Sequence, residues 1–348
     1  MEKEALLYEA LPGGKVKCTA CNRYCILPEG SKGFCMVRKN VAGKLYLLNY
    51  GMLEAIQLDP IEKKPFNHFH PGSKVFGIGT SSCNFGCLFC QNNYLSKTYR
   101  TDEYFSPEEI VGLAEKYNAD GIAYTYNEPT IFIEYALDVA KLAKSRGLFN
   151  VFVTNGYMSK ETISLMQGLI DAAVVDFKGN GDEKFANKYE AVPSSKPIKE
   201  ALLLMKKFGM HIEITDLVVP KVGDSLEACN DLTKWIAENL GVDTPVQFTR
   251  FYPSYMMQDL PPTPLATLKA HYDIAVKNGL NYVYIGNVPG SKYENTYCPK
   301  CKALVIGRNG FSVIKLAIDE NGRCMHCGTK IFINGKAKLS DSSITSFY

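Results

Sequence analysis

The stretch Gly77-Ile78-Gly79-Thr80-Ser81-Ser82-Cys83-Asn84-Phe85-Gly86-Cys87-Leu88-Phe89-Cys90-Gln91-Asn92 runs from an apolar, β-like segment straight into three cysteines at C-x3-C-x2-C spacing. From Lys74 to about Val288, short β-rich runs alternate with longer amphipathic ones. The periodicity predicts strands over Lys74–Thr80, Gly121–Tyr126, Phe149–Thr154, Ala172–Phe177, His211–Val219, Val246–Phe251 and Asn281–Ile285. Between them, Ser106–Tyr117, Pro129–Arg146, Lys160–Leu169, Lys196–Phe208, Ser225–Leu240 and Pro264–Asn278 carry helical spacing. Ser106-Pro107-Glu108-Glu109 adds a helix start with a capping serine, proline at the first position and acids in the first turn. A βαβα rhythm implies a parallel sheet, in which chemistry gathers at the carboxyl ends of the strands. The triplet falls at such an end.

At 348 residues and 46% hydrophobic, the chain can bury one large core with small additions, since single domains usually span roughly 100–250 residues. Its 39 basic and 36 acidic residues leave a net charge of +3. That balance is too even to imply nucleic acid or a membrane surface as partner; with no basic arm it weighs mildly against RNA, although a zinc ribbon can bind it. The charged start, Met1-Glu2-Lys3-Glu4, lacks a signal-peptide pattern, and no apolar run approaches the roughly 18 residues of a membrane span. A soluble cytoplasmic protein is expected.

The chain has twelve cysteines. In a reducing compartment they would be thiols, metal ligands or redox groups rather than disulfides. Their grouping is not random: Cys18, Cys21, Cys25 and Cys35 form one set, the triplet a second, and Cys298, Cys301, Cys324 and Cys327 a third, with Cys229 alone. Expected boundaries follow: a Cys-rich N-terminal module at 1–50, a connecting segment at 51–73 including Asp59-Pro60-Ile61-Glu62-Lys63-Lys64-Pro65, a core at 74–290, and a C-terminal metal module at 291–348.

Three thiolates in one short loop can each hold an iron of a cubane cluster and leave the fourth iron open to an exogenous ligand. The competing reading is zinc, with His68, His70 or another cysteine as fourth ligand. The pairs Cys298-Pro299-Lys300-Cys301 and Cys324-Met325-His326-Cys327 flank the β-like stretch Ala303–Ile318 and suit the closed tetrahedral site of a zinc ribbon or a rubredoxin-like iron site. The N-terminal set, C-x2-C-x3-C-x9-C, suits structural zinc first and an auxiliary iron–sulfur cluster second. Cys229, on a predicted helix, reads as a buried small apolar residue.

The triplet, with Phe89 just before its last cysteine, strongly resembles the signature of the radical S-adenosylmethionine superfamily. Together with Asp59–Pro65, His68-Phe69-His70-Pro71-Gly72, Arg250-Phe251-Tyr252-Pro253-Ser254-Tyr255 and Tyr284-Ile285-Gly286-Asn287-Val288-Pro289-Gly290, the chain is similar to the AmmeMemoRadiSam-system radical SAM proteins, relatives of pyruvate formate-lyase activating enzymes. The resemblance implies a partial (β/α)6 barrel of TIM type. It also implies a [4Fe–4S] cluster on Cys83, Cys87 and Cys90 and reductive cleavage of S-adenosylmethionine to a 5′-deoxyadenosyl radical that abstracts hydrogen from a substrate. A low-potential donor such as ferredoxin or flavodoxin would supply the electron, and a protein glycine, another peptide side chain, RNA or a small molecule could be the target.

Cofactor contacts implied by the resemblance are Asn127 and Glu128 in Tyr124-Thr125-Tyr126-Asn127-Glu128-Pro129, Thr154 and Asn155 in Val153-Thr154-Asn155-Gly156, and Asp176 and Lys178 in Asp176-Phe177-Lys178. Each has a plainer reading: a helix cap before Pro129, an ordinary Asn-Gly turn, a solvated strand end. Thr215–Pro220 is either an adenine-packing strand or core. Gln247 stands where the subfamily suggests histidine, and Ser81-Ser82 where a glycine is usual. The alternative from another class is a non-catalytic iron–sulfur or zinc scaffold, or an electron carrier.

Overall fold

The structure, a computed structural model, describes residues 2–99 and 103–340. The last eight residues expected in the C-terminal module lie outside the described residues. The chain starts with six short strands: β1 (Lys3–Glu4), β2 (Tyr8–Leu11), β3 (Lys15–Cys18), β4 (Ile26–Leu27), β5 (Arg38–Val41) and β6 (Lys44–Leu47). They form two antiparallel three-stranded sheets, in the orders β1-β6-β5 and β2-β3-β4. Val16, Leu27, Leu45 and Leu47 from these sheets join the same apolar cluster as the barrel helices. A module with four cysteines for a candidate metal therefore also borrows a core from its neighbour.

The main sheet comprises β7 (Ala55–Pro60), β8 (Lys74–Gly79), β9 (Gly121–Tyr124), β10 (Phe149–Thr154), β11 (Ala172–Lys178), β12 (His211–Val218), β13 (Val246–Arg250) and β14 (Val283–Gly286). Its spatial order follows the sequence from β7 to β14; β8 to β14 are parallel, and β7 runs antiparallel to β8. The helices are α1 (Asn93–Ser96), α2 (Pro107–Lys116), α3 (Ile133–Ser145), α4 (Lys160–Met166), α5 (Glu183–Glu190), α6 (Lys196–Lys207), α7 (Leu226–Asn239) and α8 (Leu265–Lys277). Six strands are each followed by a helix, as the (β/α)6 expectation requires, and β14 adds a seventh parallel strand. Among the described residues, β7 and β14 are not bonded to each other, so the sheet curls without closing. The cap expected for α2 is a full capping box: Ser106 Oγ accepts from Glu109 N at 3.2 Å, and Glu109 Oε2 accepts from Ser106 N at 2.7 Å.

Alternation along β11 shows the two faces of the sheet. Ala173, Val175 and Phe177 join the helix-side core, whereas Ala172 and Val174 pack inside with Ile61, Phe66, Phe69 and Val75. The stretch read as a connecting loop thus supplies an edge strand, β7, and then a plug across the base of the barrel. Glu213 on β12 holds that plug: its carboxylate accepts from Asn67 N, His68 N and Phe69 N at 2.7–3.0 Å. Burial alone would raise this carboxyl, but His211 and the backbone donors keep it below its ordinary range.

The C-terminal sheet is β15 (Thr296–Tyr297), β16 (Leu304–Asn309) and β17 (Ser312–Leu316), all antiparallel. It docks through His68, whose ring lies within hydrogen-bond reach of Phe332 O and, at 2.6 Å, of Tyr284 OH. A Lys338–Asp120 ion pair at 2.7 Å adds a second tie.

Candidate active site

The triplet loop follows β8 and is gripped from every side. Ser82 N donates to Leu95 O and Ser82 Oγ to Cys35 O; Gly86 N donates to Glu190 O, Leu88 N to Tyr189 O, and Arg23 Nε to Asn84 O, all within 2.5–2.9 Å. A Cβ on Gly86 would stand 2.8 Å from the Ala191 Cβ, so only glycine lets the loop approach α5 this closely. Ser82 has φ +74°, a left-handed conformation that glycine adopts without penalty. The glycine usual before the first cysteine thus has a backbone reason, and the Ser82–Cys35 hydrogen bond offsets the strain of its replacement.

Cys83, Cys87 and Cys90 face one cavity of about 560 Å³. It is walled by the carboxyl ends of the strands, by Lys63 and Lys64 after β7, and by Arg308, Gly310 and Phe311 of the C-terminal hairpin. Burial, followed by Glu128, pushes the Cys83 thiol up to about 12; burial and Glu190 push Cys87 well above its ordinary value. Such thiols become thiolates when a cation compensates the charge. Phe85 N donates to Cys83 Sγ at 3.4 Å, and Ser96 Oγ lies 3.0 Å from Cys90 Sγ. Neither His68, His70 nor a fourth cysteine is among the described residues that line this cavity, so it lacks the fourth ligand of the zinc reading.

All six residues implied as cofactor contacts line the cavity, but they spend their polar atoms differently. Glu128 is buried and caps the short 3-10 helix Pro129–Phe132: Oε1 accepts from Thr130 N (3.1 Å), Thr130 Oγ1 (2.5 Å) and Thr154 Oγ1 (2.8 Å), and Oε2 from Asn155 N (2.8 Å). The plainer reading of Asn-Glu-Pro as a cap therefore describes these contacts. Asn127 spans to the triplet loop, donating to Thr80 Oγ1 and Ser82 O, both at 2.9 Å. Asn155 Nδ2 donates to Asn84 Oδ1 at 2.7 Å, between two cysteines of the loop.

At the end of β11, Lys178 Nζ donates to Asp176 O at 3.1 Å and lies 3.9 Å from Asp176 Oδ2, while Thr215 Oγ1 donates to Asp176 Oδ1. Burial by itself would lower the Lys178 ammonium, but Asp176, then Glu190 and the Cys87 and Cys83 sulfurs, hold it above its ordinary value. Burial raises the Glu190 carboxyl to about 7. The sequence reading missed Lys64, whose Nζ binds Asp59 Oδ2 at 2.7 Å and lies 4.1 Å from the Tyr126 ring centroid. Its signal was the paired basic residues before Pro65. Gln247 lines the cavity, with Oε1 accepting from Asn67 Nδ2 at 3.2 Å. Arg250 and Tyr252 do not line it: Arg250 Nε donates to Thr263 O, and Tyr252 OH to Asn287 O.

The C-terminal four are arranged for one ion. Cys298 and Cys327 sulfurs are 3.6 Å apart, Cys301 and Cys324 sulfurs 3.7 Å, and all four lie within 4.8 Å of one another. Four thiolates around one zinc or iron at about 2.3 Å stand about 3.8 Å apart, so these thiols suit one tetrahedral metal. Cys229 is fully buried in α7, as its helix position suggested.

A family model described as the radical SAM superfamily matches residues 78–236. An uncharacterized protein of Methanocaldococcus jannaschii is 43% identical over 336 residues, 95% of this chain and 99% of that protein. A second protein of that archaeon, provisionally named a glycyl-radical enzyme activating enzyme, is 27% identical over 163 residues, 45% of this chain and 61% of its own. Among solved structures, a radical SAM methyltransferase from Sphaerobacter thermophilus superposes with a TM-score of 0.50 over 65% of this chain and 71% of that one, at 12% identity; this is a likeness of fold. The chain is a radical SAM protein by the match over residues 78–236, and over 45% of its length it is similar to a protein named for glycyl-radical enzyme activation. Among the described residues, no helix is long and apolar enough to cross a membrane.

Proposed function

We propose that the chain cleaves S-adenosylmethionine reductively at a [4Fe–4S] cluster held by Cys83, Cys87 and Cys90, and directs the resulting 5′-deoxyadenosyl radical at a hydrogen of a substrate yet to be identified, with a protein as the leading candidate. The observation that carries this reading is an incomplete set of three thiols at the wall of a large cavity ringed by strand ends. A scaffold or electron carrier would need neither the missing ligand nor the room.

The cluster and the sulfonium cofactor supply the electron transfer and the bond cleavage. The protein's part is placement. Asn127, Thr154 and Asn155 act as positioning residues, because their hydrogen bonds fix the triplet loop and Glu128. Asp176 and Lys178 present a carboxylate for ribose hydroxyls and an ammonium for the methionyl carboxylate. Glu128 keeps its place by burial and four donors, and an amino group reaching it would add to that set.

The decisive test is anaerobic reconstitution followed by dithionite and S-adenosylmethionine. 5′-Deoxyadenosine is the expected product, and its absence from fully loaded protein would overturn the reading. In Lys178→Met, S-adenosylmethionine binding measured by equilibrium dialysis should weaken by about tenfold or more at unchanged iron content, since a charge-assisted hydrogen bond contributes about 1.5–3 kcal/mol. Unaltered affinity would remove Lys178 from the cofactor site. For the C-terminal quartet we propose zinc. Cys298→Ser/Cys324→Ser should lose about one zinc per chain by elemental analysis, with the triplet's iron retained; iron lost in its place would assign a rubredoxin-like site.

A further inference from the structure

The N-terminal cysteines make a different site from the C-terminal ones. Cys18, Cys21, Cys25 and Cys35 all line one small cavity, together with Asn84 from the triplet loop. Cys18 and Cys35 are buried, and Cys21 and Cys25 are partly so. They do not close up as the C-terminal quartet does. Among the described residues, that quartet alone brings three or more ligand atoms within 4.8 Å of one another. Tetrahedral zinc needs its sulfurs at about 3.8 Å. In a cubane each thiolate takes a different iron, so the sulfurs stand apart by an iron–iron edge and two further bonds. Four thiols that line a shared cavity without gathering within 4.8 Å of one another, as the C-terminal quartet does, fit the second arrangement.

A second observation comes from Asn84. Its side chain is fully buried, Oδ1 is committed to Asn155 Nδ2 at 2.7 Å, and Nδ2 has no hydrogen-bond partner among the described residues. A buried amide donor without an acceptor is costly. Beside four cysteines, the acceptor it lacks would be a sulfur, and hydrogen bonds to sulfur are a recognised control on cluster potential.

We propose that Cys18, Cys21, Cys25 and Cys35 hold a second iron–sulfur cubane, closed by all four thiolates, with Asn84 donating to one of its sulfurs. This replaces the structural zinc favoured from spacing alone. The site abuts the triplet: Cys35 O accepts from Ser82 Oγ at 2.6 Å, and Ser82 precedes Cys83 in the chain. One hydrogen bond and a few covalent bonds thus connect the two cysteine sets. Along that path one electron from an external low-potential carrier of the ferredoxin or flavodoxin class would enter the N-terminal site, reducing it by one electron, and leave for the triplet, returning it to its starting state. Only this relay rests on the reading of the triplet given above; the second metal site stands apart from it.

The test is metal and acid-labile sulfide analysis with paramagnetic resonance on the full chain, reconstituted anaerobically. Wild-type protein should hold about eight irons and eight sulfides, and Cys83→Ser/Cys87→Ser/Cys90→Ser should keep about four of each, with a reduced-state signal that S-adenosylmethionine leaves unchanged. Cys18→Ser/Cys21→Ser should lose the other half and keep the signal that responds to S-adenosylmethionine. A triplet variant without sulfide, or wild-type protein with about four irons and a second zinc, would overturn the proposal. Iron at both sets with no 5′-deoxyadenosine would sink the catalytic reading and leave this one standing.

Discussion

In Cys87→Ala, 5′-deoxyadenosine should fall to the level of a protein-free control while the C-terminal metal stays bound. Cys87 is the most deeply buried of the three triplet thiols, and its pKa is pushed well above the ordinary range by burial and then by Glu190. Water cannot readily take the place of a thiolate there. Alanine would leave one iron of the proposed cluster without its anionic ligand, and such clusters shed iron rather than tolerate the gap. The C-terminal quartet should persist because it has a small core of its own, formed by Tyr282, Tyr284, Val305 and Ile331 around Cys298 and Cys324. Wild-type product from a variant with depleted iron would remove the triplet from the chemistry.

The second large effect is on stability, at Glu134. Arg38 of β5 and Glu134 of α3 form a buried ion pair with both side chains at most 2% exposed; Nη1 and Nη2 of Arg38 donate to the two carboxylate oxygens at 3.0 and 2.6 Å. Leu6 N donates to the same carboxylate at 3.0 Å. Glu134→Ala strands the guanidinium and should cost about 3–5 kcal/mol, visible as a lower urea midpoint in the metal-loaded protein. Arg38→Met/Glu134→Leu should recover most of that loss, because removing both charges also removes their desolvation cost. A single variant within about 1 kcal/mol of wild type would show that water reaches the pair.

The parallel core was legible because its strands are buried on both faces and read as apolar runs such as Ala172-Ala173-Val174-Val175, bounded by helical spacing. β7 was not, since Ala55-Ile56-Gln57-Leu58-Asp59-Pro60 is an edge strand closed by proline and its polar residues mimic a loop. Two short helices were also missed. α1 has four residues, too few for a period, and α5 hides in the polar run Glu183–Glu190, where Phe185 and Ala186 alone are both apolar and buried.

At the site, spacing revealed the residue types but not their partners. Nothing near Asn127-Glu128-Pro129 indicates that Thr154 and Asn155, from the next strand, would bind the Glu128 carboxylate. Likewise both four-cysteine sets admit zinc on spacing, although only the C-terminal one consists of two C-x2-C pairs. What the structure adds is how closely the folded backbone lets the sulfurs approach, a property of tertiary packing that the intervals between cysteines do not reveal.

The wall formed by Arg308, Gly310 and Phe311 bears on how such a protein could change its target. Arg308 sits near the end of β16 and Gly310 and Phe311 in the turn to β17, in a part with its own four-cysteine group and fastened by Arg308 Nη2 to Asn67 O at 2.6 Å. Under the proposed chemistry, the strand ends would have to keep their geometry to manage a reactive species. Beyond the buried, bonded Arg308, the turn with its half-exposed Phe311 has no such obligation and can vary in length and side chains. In a family built this way, selectivity would be written in the appendage and reactivity in the barrel, and exchanging hairpins between relatives would redirect one without rebuilding the other.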